Sequence, residues 1–197
     1  MKKPLTFGWG ASSGPGVACA RYAVRVEIVL RPLVASDAET LASWAIDPVF
    51  CAHAGWTLHP SVDDAIPWWR RAIADPDPLL VRLLVLHDGE PVGHVDLHGG
   101  EEGVRELGFL IGPSGQWHRG LGTAAAVAGL EYGFTELGLS RIWAEALEAN
   151  VGSVRILRRL GMRETGFGTV EEFLGASSTY LQFSLSRADW MAAHRPE

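Results

Sequence analysis

The 197-residue sequence predicts an α/β (α+β) domain: a mixed, largely antiparallel central sheet with helices on both faces. Three observations carry that prediction. Strand-like and helix-like periods alternate from Tyr22 onward. Three strand runs follow one another with no helix between them. A helix-length segment rich in alanine and glycine then interrupts the strands. The length suits one domain, and a hydrophobic share of 47% is enough for a single buried core.

The elements follow in order. Val24, Val26, Ile28 and Leu30 recur with period two and predict the first strand. Ser36-Asp37 reads as the cap of a helix to about Trp44, with Glu39 near its start and Asp47-Pro48 as its end. Residues 50–60 read as a loop carrying His53, Trp56 and His59. Ser61 opens a second helix, with Asp63 and Asp64 in its first turn, Trp68 and Trp69 midway and Asp75-Pro76 at its end. The runs Leu80-Leu86, Val92-His98 and Val104-Ile111 are joined by Asp88-Gly89 and Gly99-Gly100, a pattern that predicts an antiparallel meander.

Gly120 to Gly138 reads as a loop and a long helix with Val127, Leu130, Phe134 and Leu137 on one face. Ala124, Ala125, Ala128 and Gly129 keep its opening turns slim. A strand at Arg141-Leu147 follows, then a helix at Val151-Leu160 stopped by Gly161, then strands near Met162-Gly168 and Thr179-Ser186. These readings bound the domain at residues 23–190 and leave 191–197 as a C-terminal tail.

Charge and composition narrow the function. A net charge of −6 leaves no general basic field, so no nucleic-acid partner is expected. No run approaches the roughly 18 apolar residues of a membrane helix, so no membrane partner is expected either. Cys19 and Cys51 form no CxxC motif and fit a reduced, cytoplasmic protein. Lys2 and Lys3 precede a stretch ending Ala18-Cys19-Ala20 that superficially mimics a secretion signal. Gly8, Gly10, Gly14, Pro15 and Gly16 cannot sustain its apolar helix, so residues 1–22 read as a flexible extension, with secretion as the minor alternative.

The chemistry concentrates in Gln116-Trp-His-Arg-Gly-Leu-Gly-Thr123, between a strand and a helix. Glycines at 120 and 122 let successive N–H groups turn into one concavity, and the helix start adds its positive dipole end. Together they make a pyrophosphate cradle, or else an ordinary glycine-rich turn. Gly120-Leu-Gly122-Thr-Ala-Ala125 also satisfies G-x-G-x-x-A. A dinucleotide site, however, wants its first glycine almost directly after a strand, and eight residues separate Ile111 from Gly120.

The ordered series of Glu106-Leu-Gly-Phe-Leu-Ile111, Arg119-Gly-Leu-Gly122, Ile142-Leu147, Asn150-Val-Gly-Ser153-Val-Arg155 and Leu160-Gly-Met162 resembles the GNAT superfamily of acyl-CoA N-acyltransferases, in its RimJ/RimL-like branch. The resemblance covers roughly residues 24–186 and is densest from 104 to 168. It implies an enzyme that moves an acetyl group from acetyl-CoA to a primary amine. Transfer is direct, since no cysteine lies in the motif region to carry the acyl group. It also implies that the backbone of Arg119, Gly120, Leu121, Gly122 and Thr123 holds the CoA pyrophosphate. By the same resemblance Asn150 contacts the pantetheine arm or nearby backbone, or else only caps its helix; Ser153 protonates the leaving thiolate, with bound water as the rival; and Arg155 and Arg158 meet nucleotide phosphates or, with Arg159, form a solvated face. Two departures stand out. Trp117 occupies a position often held by Gln or Arg, with Gln116 one earlier, and Leu157 replaces the tyrosine that often serves as general acid. Homodimers fit this branch, and the sequence leaves the oligomeric state open.

The reaction needs a neutral amine, a polarised carbonyl and a protonated leaving group. Glu106 is the expected base, sharing a strand face with Val104, Gly108 and Leu110, and its rival reading is a surface carboxylate. A backbone N–H near Leu110 or Ile111 supplies the oxyanion donor if the strands splay there. His94, Asp96 and His98 project to one side of their strand. Spacing near 7 Å makes shared metal ligation awkward, so a polar lining of the acceptor cleft or an exposed face is expected, with no metal. Trp44, Trp56, Trp68 and Trp69 supply core packing or ring faces for a cationic acceptor, and the adjacent Trp68 and Trp69 cannot face the same way. Two other classes remain open: a catalytically silent CoA-binding module and a nicotinamide-dependent oxidoreductase.

Overall fold

A computed structural model describes residues 26–194. The expectations for residues 1–22, for Val24 and for residues 195–197 lie outside the described residues. Among the described residues, seven strands form one sheet: β1 (Val29–Pro32), β2 (Leu80–His87), β3 (Glu90–His98), β4 (Val104–Ile111), β5 (Arg141–Leu147), β6 (Arg163–Phe173) and β7 (Ala176–Ser186). Their spatial order is β1-β2-β3-β4-β5-β7-β6, and every neighbouring pair is antiparallel except β4 with β5. The meander is present as the sequence predicts. Asp88 and Gly89 both adopt positive φ in the β2–β3 turn, the geometry of a two-residue hairpin.

Helices α1 (Asp37–Trp44), α2 (Pro48–Ala54) and α3 (Val62–Ala74) cover one face of the β1–β4 half. They build a core from Leu41, Trp44, Phe50, Trp69 and Leu84. Helices α4 (Leu121–Thr135), α5 (Val151–Arg159) and α6 (Arg187–Ala193) lie on the opposite face over Val95, Leu97, Leu107, Ile142, Leu181 and Phe183. Gly129 brings α4 close to the sheet: a Cβ there would come within 2.7 Å of Val95 and 2.9 Å of Leu107.

Several expectations change. Ser36 makes no side-chain cap on α1. The carboxylate of the next residue, Asp37, accepts the Val34 N–H at 2.7 Å and two Arg31 guanidinium bonds at 2.7 Å each. Asp47-Pro48 ends one helix and also starts another. Asp47 Oδ1 caps the amides of Val49 and Phe50, Pro48 sits at the first turn where no N–H is needed, and the expected loop at 50–60 is helical to Ala54. β6 and β7 run well beyond the expected strands. Leu137, expected on the buried face of α4, lies past the helix end and is exposed. Finally, α6 crosses the boundary drawn at residue 190. Its capping box, Ser186 with Asp189, was present in the sequence, and Trp190 buries its apolar side.

Candidate active site

The β4–β5 pair is registered only at Val104↔Arg141, Arg105↔Ile142 and Glu106↔Trp143. Beyond Glu106 the two strands run on to Ile111 and Leu147 without pairing, so the sheet opens into a wedge. On the other edge, the Gly112 amide donates to the Val92 carbonyl at 3.1 Å, continuing the β3–β4 ladder. Antiparallel alternation then turns the backbone of Gly108 and Leu110 toward β3 and the amides of Leu107, Phe109 and Ile111 into the wedge. This corrects the expectation for Leu110, whose partner across the ladder is His94. The amides of Phe109 and Ile111 are the ones that face the wedge. At the wide end Trp117 Nε1 donates to the Ile111 carbonyl at 2.6 Å.

The loop after β4 reaches α4 through positive φ at His118 and Gly120. No side chain caps α4, no acidic residue lies in its first turn, and the Ala124 amide is the one that bonds back to Gly120 O. The amides of Leu121, Gly122 and Thr123 therefore emerge at the helix start without a side-chain acceptor, the arrangement that receives a phosphate oxygen. The side chains of Leu121 and Thr123 are buried, so these residues offer backbone only. Gly122 is bare where a Cβ would lie 3.2 Å from Ile156 Cδ1. Arg119 is exposed and bonds through its guanidinium to Gln116 Oε1. The donor set fits the pyrophosphate of CoA. The dinucleotide alternative fits poorly, because a 3-10 turn at Ser114–Gln116 and Trp117 intervene between β4 and the first glycine.

The start of α5 faces the same wedge. Asn150 Oδ1 caps the helix by accepting the Ser153 amide at 3.3 Å, which leaves its NH2 group as the donor for a ligand. Ser153 is half-buried, and Arg155 is exposed. Arg158 Nε is bonded to Glu164 Oε1 at 2.7 Å on the surface. Leu157, at the family's tyrosine position, is sealed in the core at 1% exposure and offers no proton.

On the sheet face away from α4, Glu106 stands at the apex of the wedge. Burial pushes its carboxyl above the ordinary carboxylate range, with Glu145 and Asp96 adding to the rise and His98 opposing it. Along β3, His94 and Asp96 of the expected trio stay in contact and His98 lies apart. His98 is half-exposed and lies 3.7 Å from Asp77. Asp96 accepts two bonds from Arg82, at 2.8 and 2.5 Å, and lies 3.2 Å from His94 Nδ1. Burial works against the Asp96 charge, but those bonds outweigh it and hold the carboxyl well below the usual range. His94 is neither exposed nor a cleft lining: it is buried beneath Trp56 (centroids 5.8 Å apart, stacked) and Trp69 (6.2 Å). Trp69 is buried and Trp68 exposed, as their adjacency requires, and Trp44 packs in the core against Gly112.

Three features were missed in the sequence. His53 of α2 packs edge-on against both Trp117 (4.9 Å) and Phe173 of β6 (5.0 Å), joining three elements across the wide end of the wedge. Asp47 Oδ2 accepts the Ser114 amide at 2.8 Å, tying α2 to the loop before α4. Glu145 joins Glu106 on the sheet face away from α4. Its signal was the alternation Ile142, Ala144, Ala146 inward against Trp143, Glu145 outward.

The sequence profile of the acetyltransferase (GNAT) domain matches residues 27–163. Among curated proteins, "Uncharacterized N-acetyltransferase YnaD" of Bacillus subtilis (strain 168) is 38% identical over 78 residues, 39% of this chain and 45% of that one. "Putative ribosomal N-acetyltransferase YdaF" of the same organism is 29% identical over 177 residues, 85% of this chain and 95% of that one. Among solved structures, the spermidine N-acetyltransferase from Vibrio cholerae in complex with CoA and spermine superposes with a TM-score of 0.70. It is 21% identical, covering 83% of this chain and 98% of that one, and so bears on the fold.

Proposed function

Because the chain belongs to the GNAT acetyltransferase family, we propose that it transfers the acetyl group of acetyl-CoA directly to a primary amine within a ternary complex. Family membership makes it an acyl-CoA-dependent N-acetyltransferase. The finer reading rests on one observation: β4–β5 pairing stops at Glu106↔Trp143, and a carboxyl with a raised pKa stands at that point. The amides of Leu121, Gly122 and Thr123 would hold the pyrophosphate, with Arg119 and Arg155 beside it and Asn150 on the pantetheine arm. The amide of Phe109 or Ile111 would donate to the thioester carbonyl and stabilise the charge that develops on its oxygen.

An alkyl ammonium must lose a proton before it attacks, and Glu106 would take it, directly or through one water. Ser153, at the wedge end of α5, would return a proton to the departing thiolate. The acceptor classes are a protein N-terminus, a polyamine-like amine or an amino sugar. The name of the relative that spans 85% of this chain, a ribosomal N-acetyltransferase, favours an acceptor on the ribosome.

Thermal unfolding with acetyl-CoA, CoA or NADH at matched concentrations tests the donor. At about a hundred times Kd, ligand should add about 2.7 kcal/mol, a rise of roughly 5–11 °C for a domain of this size. Protection by the CoA species and none by NADH is expected, followed by acetylation of members of an amine panel. In that assay S153A should lower kcat while leaving acetyl-CoA protection intact. Protection by CoA without transfer to any amine would instead indicate a silent binding module.

A further inference from the structure

We propose that Glu145 is a positioning residue for acetyl transfer: its negative charge, fixed beside Glu106 on the sheet face away from α4, drives the proton of the incoming ammonium onto Glu106. The inference rests on the reading of Glu106 as the base. Three structural features carry it.

The first is register. Glu106↔Trp143 is the last β4–β5 pair, and strand alternation puts residue 145 on the same face as Trp143 and Glu106, one step along the opening wedge. The second is how the carboxylate is held. Gln182, paired with Glu145 on β7, donates from Nε2 to Glu145 Oε2 at 3.2 Å. Gly168 of β6 leaves the room on the other side, where a Cβ would lie 3.0 Å from the same oxygen and 3.0 Å from Tyr180 Cβ. The third is that neither carboxylate is held in an ion pair. Among the described residues, no lysine, arginine or histidine forms an ion pair with Glu106 or Glu145. The nearby basic groups are committed: Arg82 to Asp96, and His98 to Asp77.

The proton balance follows. An ammonium reaching this face meets two carboxylates whose repulsion is offset only in part, by His98 of β3. When the N–H bond breaks and an O–H bond forms on Glu106, one of the two charges is removed and the repulsion disappears. The nitrogen keeps its electron pair for the new N–C bond, and the C–S electrons leave with the thiolate. A like charge beside a carboxylate favours its neutral form, so Glu145 strengthens Glu106 as a base. The other groups facing Glu106 act in both senses: Asp96 from β3 adds to the effect, His98 from β3 opposes it, and the Tyr180 phenol of β7 lies in the same field.

The test is the pH profile of kcat/KM between pH 5 and 9, using acetyl-CoA and a simple primary alkylamine that the wild-type protein acetylates. E145Q should move the acid limb down by about one pH unit, because Glu106 ionises more readily without its neighbour, and lower plateau kcat several-fold, because the base is weaker. Acetyl-CoA protection against unfolding should be unchanged, and E145D, which keeps the charge, should restore the limb. A wild-type limb and wild-type kcat in E145Q, with E106Q inactive, overturns this inference and leaves the acetyltransferase reading intact. Full activity in E106Q overturns the base assignment and this inference with it.

Discussion

Glu106 bears an energetic cost that its proposed role requires. Burial, reinforced by Glu145, raises its carboxyl pKa in the folded protein. The folded state therefore binds that proton more tightly than the unfolded chain does. Stability falls as pH rises from the ordinary carboxylate range through the folded value, and above that window the cost is complete. E106Q should consequently melt higher than wild type at pH 8, with the gap closing at pH 4, while kcat drops about 10²–10⁴-fold. Melting curves of the two proteins that run parallel from pH 4 to pH 8 would remove this account. Asp96 carries the opposite sign. Its carboxyl is held low by Arg82, so its contribution is present above the ordinary carboxylate range and is lost as pH falls toward the folded value.

At the scale of elements, two helices use glycine for opposite reasons. In α4, Gly129 lies against the sheet, and alanine there would push a methyl within 2.7 Å of the stiff, β-branched Val95. In α5, Gly152 has only Asn150 Oδ1, at 3.7 Å, beside its missing Cβ. Replacing a helical glycine by alanine gains up to about 1 kcal/mol where space allows, whereas overpacking a core costs about 1–3 kcal/mol. Urea denaturation should therefore give opposite signs: G129A less stable than wild type and G152A more stable. Equal signs would mean that α4 can shift off the sheet at little cost. The site depends on α4 holding its place, because its first amides are the cradle proposed for the pyrophosphate.

For the whole molecule, the relevant property is how charge is divided between two ligands of opposite sign. The chain carries −6, with Glu106, Glu145 and Asp96 on one sheet face and the amides at the start of α4 at the wide end of the wedge. A cationic acceptor is drawn by the field that repels the CoA phosphates. Raising salt from about 20 to about 300 mM shortens the screening length to less than about 10 Å. The KM of a cationic amine should rise several-fold over that range while that of acetyl-CoA falls or stays level. Steady-state kinetics at the two salt concentrations checks this, and a fall in both would exclude field attraction of the acceptor.

The sequence by itself determined the meander, the long α4, the glycine turn before it and the family resemblance, because each is written in local period and spacing. Asp88-Gly89 dictates a tight hairpin, and Gly120 supplies the positive φ from which α4 starts. It misjudged Asp47-Pro48, since the same dipeptide that stops one helix caps the next, and only the chain beyond decides which. Glu106 was legible as a candidate, but its environment was not. The rise in its pKa comes first from burial, which no local pattern encodes, and then from Glu145, 39 positions along the chain. His94, Asp96 and His98 read as one cluster; His94 and Asp96 keep their contact, yet tertiary contacts add Trp56 and Trp69 to the first and Arg82 to the second, and send His98 to Asp77. The wedge itself was decided by tertiary structure alone. Strand separation depends on where the β4–β5 ladder stops, at Glu106↔Trp143, and no local period marks that point.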